Sequence, residues 1–355
     1  MNFLISITFV TLFALCVDSQ TITSGAQSSV LSSFLKATGT GYGGIVTNIK
    51  KIQYTSTYVY VLSSGVGSYV TGPWVSPNVP SDRNFSVQFP FNPTVRSGTK
   101  LSATAGLAGL FINGVPIYTF GDGMSWNSQG IWNRAAYFWE LVSFDTCYGH
   151  ADGNGNYHHH VNPICLYNYT DSTKHSPLIG YVIDGYPLYG PFGYSNPNSS
   201  TSGIKHMVPS YVARSATQRT TYRNGSALSP SQYGPDVNST YPIGAFAEDY
   251  IYTSGAGDLD ACGGRWCVTP EYPNGTYAYF ISTDSSNKPL YPFTFTCYYG
   301  NPINAGASAS KATVPSNATV YFDYYATKTN STSSAVLHKI NSFVGIFTLI
   351  LAFFF

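Results

Sequence analysis

Charge is scarce in this chain. Asp, Glu, Lys and Arg make up 9% of its 355 residues, against about 25% in an ordinary globular domain. A net charge of +1 leaves no basic footprint for a nucleic-acid backbone. The surface must stay wet through Ser, Thr, Asn and Tyr hydroxyls, and through sugar. Helix signals are equally thin. Gly and Pro punctuate the chain every few residues, and the apolar runs are short and rich in Val, Ile, Tyr and Phe. No G-x-S-x-G, H-E-x-x-H, P-loop or dinucleotide fingerprint occurs, so no nucleophile–base pair and no nucleotide site is nominated.

A run long enough to span a bilayer, roughly 20 apolar residues, is missing too. The first residues are apolar from Phe3 to Val17 and then small or polar. They read as a signal peptide over residues 1–19, although the basic n-region is absent. The last residues run from small side chains through a polar spacer into about 13 apolar residues with nothing after them. That order is the one a GPI-attachment signal has. It predicts attachment near Asn330 to Ser333, a Ser/Thr stalk over 326–334 and a removed tail over 335–355. The destination is then the outer face of the plasma membrane, or the medium.

What is present fits that route. The N-x-[ST] sequons at Asn84, Asn168, Asn198, Asn224, Asn238, Asn274 and Asn317, with an eighth at Asn330, are glycosylation candidates if exposed. Cys16 leaves with the leader, so Cys147, Cys165, Cys262, Cys267 and Cys297 remain. An oxidising compartment should pair them, with one left over. Cys147 with Cys165 is the first expectation, and Cys262 has two candidate partners, Cys267 and Cys297. Segments such as "IKKIQYTSTYVYVLSS", "NFSVQFPFN", "GTYAYFIST", "YPFTFTCYY" and "ATVYFDYYA" read as strands. "NRAAYFWELV" reads as a short helix or an aromatic strand. Over 20–325 the expected class is mainly β, a sandwich or irregular barrel with long Gly/Pro-rich loops and few short helices.

Two echoes recur inside the chain. "NGVPIY" at Asn113–Tyr118 returns as "DGYPLYG" at Asp184–Gly190. Asp145, Cys147, Gly149 and Tyr157 return as Asp260, Cys262, Gly264 and Tyr277, but Arg265 stands for His150 and Ala278 for His158. An old duplication would have kept the scaffold and lost the histidines.

Chemistry concentrates in "CYGHADGNGNYHHHVNPIC", where four of the chain's seven histidines fall between Cys147 and Cys165. On a strand, His158 and His160 share a face and His159 takes the other. A turn through "ADGNGN" returns His150 to that face. Three convergent imidazoles suit zinc or copper and leave a coordination position open. His175 is a candidate fourth ligand, while Asp145 and Asp184 are candidates for orienting a ligating imidazole. Asp184-Gly185 is also a good hairpin-turn pair. A calcium loop is disfavoured, since "DGNGNY" lacks the sixth-position Gly and the closing Glu.

These residues carry a resemblance. "GHADGNGNYHHH", then "HSPLIGYVIDGYPLYGPFGY", and further "LDACGGRWCVTPEYPNGTYAYF" resemble the YHYH domain family over roughly Thr47 to Thr283. Tyr157, His158 and His160 match its motif letters, and His159 replaces the second Tyr. The resemblance implies a secreted or surface-bound protein. Three function classes follow: a metal-binding surface protein, a metal-dependent extracellular oxidase or hydrolase, and a non-enzymatic adhesion or glycan-binding module that stacks sugars on Tyr and Trp. The partners expected are a metal ion, glycans or a small extracellular ligand, and the membrane through the anchor.

Overall fold

The computed structural model describes residues 25–328, apart from 104–105 and 306–308. The expected leader, the attachment residues Asn330 and Ser333 and the apolar tail lie outside the described residues. Among the described residues no helix is long and apolar enough to cross a membrane. The chain is mostly β, in several small sheets that do not close into a barrel, with few short helices.

Alternation builds the first sheet. In Phe85–Pro90 the side chains of Phe85, Val87 and Phe89 are buried while Ser86 and Gln88 are only partly so, the period-two pattern of a half-buried strand. It pairs antiparallel with Tyr58–Ser63, which pairs with Ile49–Tyr54, which in turn meets Thr319–Asp323. The helix Gly25–Ser33 adds Val30 and Leu31 to the same core.

The second sheet is where the echoes become structure. Its six strands run in the order Gly264–Cys267, Thr276–Phe280, Pro187–Tyr189, Leu178–Val182, Gly109–Phe111, Pro116–Ile117. Leu178–Val182 and Thr276–Phe280 are buried at every position, which explains their nearly unbroken apolar spelling. Each "Asn/Asp-Gly-x-Pro" echo is a tight turn. Gly114 N–H donates to Phe111 O and Gly185 N–H to Val182 O, both at 2.8 Å. The amides of Val115 and Tyr186 donate to the Asn113 and Asp184 side chains, both at 3.2 Å. Leu110 and Tyr181, equivalent in the two echoes, pair with each other across the middle of the sheet. The outer connections also match: Leu188 runs parallel to Tyr279, and Ile117 runs parallel to His159. The sheet therefore reads nearly the same from both ends, with the histidine hairpin at one and the Gly264–Cys267/Thr276–Phe280 hairpin at the other.

Candidate metal centre

The hairpin is built from its turns outward. Asp145 Oδ1 accepts the amides of Cys147 and Gly149, each at 2.9 Å, and its Oδ2 accepts the Tyr157 hydroxyl at 2.7 Å. Asp152 does the same at the tip, taking the amides of Asn154 and Asn156 at 2.8 and 3.0 Å. Between these turns His150 pairs directly opposite His158. His160 follows two residues on, and the disulfide between Cys147 and Cys165 closes the loop. All three histidines are buried, at 4%, 2% and 1% exposure.

Their tautomers follow from their partners, since a carbonyl oxygen can only accept. His158 Nδ1 faces Asn156 O at 2.8 Å and His160 Nδ1 faces Thr119 O at 2.6 Å, so both Nδ1 atoms carry the proton. His150 Nδ1 meets Ser143 Oγ at 2.7 Å. That hydroxyl already donates to Glu140 O at 2.6 Å, so His150 Nδ1 must donate to it. Three Nε2 lone pairs are left facing one another. His158 Nε2 lies 3.0 Å from Nε2 of both His150 and His160, and the three ligand atoms fall within 4.8 Å of each other.

The surroundings disfavour charge on two of the rings, His150 and His158. Burial pushes His150 down to about 4, reinforced by His160 and opposed by Glu140. Burial likewise holds His158 well below its ordinary value. The Tyr118 ring stacks on His158 at 3.8 Å between centroids, and Phe144 packs edge-on to His150 at 4.9 Å. Glu140 closes the remaining side, with Oε2 at 3.0 Å from His160 Nε2 and 3.7 Å from His150 Nε2. Burial alone would raise the Glu140 carboxyl, but the closeness of His160, His150 and Arg134 outweighs it and its pKa is lowered. A group of three histidines able to hold a metal ion is therefore present, with a carboxylate beside it.

Other expected residues fall elsewhere. His159 takes the opposite face, with Nε2 at 2.6 Å from the Tyr69 hydroxyl. His175 is not part of the trio. It packs against Tyr189, Tyr194 and Phe280, because the chain crosses to the far half of the sheet before Leu178–Val182. Asp145 and Asp184 orient no imidazole of the trio. Asp145 holds its own turn and Tyr157, and Asp184 accepts the Tyr279 hydroxyl at 2.7 Å and the Gly300 amide at 2.9 Å. The orienting acceptors are Asn156 O, Thr119 O and Ser143 Oγ. Cys262 pairs with Cys297, leaving Cys267 as a buried free thiol. Arg265, the counterpart of His150, bonds the Tyr194 carbonyl, and Arg219 forms a fully buried ion pair with Asp249 at 2.7 Å. The seven described sequon asparagines, from Asn84 to Asn317, are all exposed.

Sequence reasoning missed Glu140, Ser143, Thr119 and Tyr118. The rarity of acidic residues, 16 in the chain, was a signal for Glu140. The other three carry none, because two act through short-range hydroxyl or carbonyl contacts and one through a ring among 30 tyrosines.

A family model described as YHYH protein matches residues 86–300, more than half of the chain. The chain belongs to that family. The matched span includes the hairpin just described, whose residues 157–160 read Tyr-His-His-His. The match begins later than the resemblance read from Thr47 and runs on to Gly300. No curated protein and no solved structure matches the chain. The second half of this YHYH domain repeats the frame without the site. Asp260 Oδ1 accepts the Cys262 and Gly264 amides at 2.9 and 3.2 Å and the Tyr277 hydroxyl at 2.9 Å. Arg265 pairs opposite Ala278, where the first half has His150 opposite His158.

Proposed function

We propose that this YHYH protein is a secreted, glycosylated surface protein that binds one transition-metal ion, zinc or copper, through Nε2 of His150, His158 and His160. A GPI anchor near Asn330–Ser333 is part of the reading, as is glycan on the exposed sequons. One observation carries the metal assignment: three imidazoles are each fixed as the Nδ1–H tautomer, so three lone pairs converge in a buried space. Lone pairs 3.0 Å apart repel unless a cation lies among them. Bonds of about 2.0 Å to a tetrahedral ion set the nitrogens about 3.3 Å apart, so the two pairs at 3.0 Å have to open by a few tenths of an ångström, while the third pair lies within 4.8 Å. Three nitrogens with bound water or another ligand make a usable site for either metal. The burial of all three favours holding the ion over turning over a bulky substrate at it.

The test is metal content. The protein is expressed from its full-length sequence in a secretory host, loaded with zinc or copper, and measured beside a variant with His150, His158 and His160 all changed to Ala. The expected result is about one ion per chain in the wild type and background in the variant. Substoichiometric metal in both overturns the assignment.

A further inference from the structure

We infer that Glu140 is the fourth protein ligand of this centre, making it a three-imidazole, one-carboxylate site that selects a divalent ion, Zn²⁺ or Cu²⁺, over Cu⁺. The inference rests on the trio being a metal site and goes beyond it by naming a ligand and a selectivity.

Glu140 comes from an unrelated part of the chain. The strand Asn133–Ala135 leads into the one-turn helix Ala136–Glu140 and the 3₁₀ turn Leu141–Ser143. That short segment does two things at the centre. Ser143 Oγ fixes the His150 tautomer, and Glu140, three residues earlier, places Oε2 against His160 Nε2 at 3.0 Å. Oε2 is buried and has no hydrogen-bond donor among the described residues, since His160 keeps its proton on the Nδ1 side facing Thr119 O. The nearby cation does not serve it, because Arg134 is engaged with Asp122 at 2.6 Å. A buried carboxylate oxygen facing only imidazole lone pairs is costly unless something positive sits between them. The same cation that satisfies the trio satisfies Glu140. A carboxylate is a hard oxygen donor. It favours a divalent ion, whereas Cu⁺ prefers thiolate and thioether and gains little from it. The site holds no sulfur.

The experiment uses the full-length protein and its Glu140→Gln variant, which keeps the shape and removes the charge. Zn²⁺ affinity is read by competition with a chromogenic chelator and Cu⁺ affinity by competition with a Cu⁺-specific one. The Co²⁺-loaded protein supplies a ligand-field spectrum. Loss of an outer-shell partner already costs about 10–100-fold in affinity, so a direct ligand predicts at least tenfold weaker Zn²⁺ binding. Cu⁺ affinity should move by less than threefold, and the Co²⁺ band should shift. Unchanged Zn²⁺ affinity and an unchanged Co²⁺ spectrum, with one ion still bound, overturn the Glu140 inference and leave the trio standing. Failure of the wild type to bind any of the three ions overturns the trio itself. If the Gln variant is not secreted, Glu140→Asp replaces it: a shortened carboxylate must alter the Co²⁺ band if Glu140 is a ligand, and an unaltered band refutes it.

Discussion

His159 gives a pH signature that can be worked out in advance. The ring is fully buried, packed edge-on against Phe111 and Tyr157, with the Tyr69 hydroxyl on Nε2. Burial pushes its pKa down to about 4, against the pull of Asp145. A histidine with a depressed folded pKa contributes stability that is present above its unfolded value near 6.5 and is lost as pH falls through the folded value. Integrated from pH 7 to pH 4, that loss is about 3 kcal/mol. Other groups work the opposite way over the same window. Burial raises the Asp184 carboxyl to about 6, so acid relieves a strain there as its proton is regained. The total pH dependence of the wild type is therefore not diagnostic, but a difference is. His159→Phe cannot titrate, and the pH-independent cost of its shape cancels when slopes are compared. Urea unfolding midpoints of both proteins, stripped of metal and with disulfides intact, should converge as pH drops from 6.5 to 4. The gap should change by about 3 kcal/mol in favour of the variant. Parallel curves would show that His159 is not held neutral in the folded state.

Two further outcomes follow from the frame and the anchor. At Gly149 an added methyl would overlap the Tyr157 hydroxyl and lie 2.9 Å from His159 Cε1, so Gly149→Ala should cost about 3 kcal/mol in urea unfolding. Gly264→Ala should cost a similar amount, because its methyl would lie 2.6 Å from Tyr277 and from the Ala278 carbonyl. A free choice of residue at either position would contradict the shared architecture. Phosphatidylinositol-specific phospholipase should release the protein from intact cells, and full retention would argue for a tail helix in place of a GPI anchor.

What the sequence made legible was local. His158 and His160 share a face because strand geometry has a period of two, and the Gly-rich tip returns His150 because Asp152 can gather the amides of a tight turn. The strand spellings of Ile49–Tyr54 and Phe85–Pro90 carry their burial pattern openly. What was illegible is long-range. Cys262 and Cys267 are neighbours in sequence, yet Gly264–Cys267 is an extended strand and carries Cys267 about 10 Å beyond Gly264 at roughly 3.3 Å per residue. That exceeds the reach of a disulfide, so the partner is Cys297, delivered by pairing with Leu101–Ser102. His175 looked near the trio by number, but sheet topology placed it in the other half. Glu140 and Thr119 arrive from segments with no periodic link to the hairpin.

The internal repeat separates scaffold from site. Both halves keep an aspartate that gathers two amides and a tyrosine hydroxyl, a disulfide-bonded cysteine two residues on, and a glycine too close to that tyrosine to carry a side chain. The second half does this with Arg265, Ala278 and Phe280 where the first has His150, His158 and His160, and Phe280 packs against His175 there. A hairpin of this kind thus folds without imidazole, so stability does not explain the histidines. Nor does hydrogen bonding alone, because each ring spends its donor on the Nδ1 side and turns its lone pair toward the others. An arrangement that would repel itself when empty, and that a cation would relieve, is what the proposed metal ion would account for.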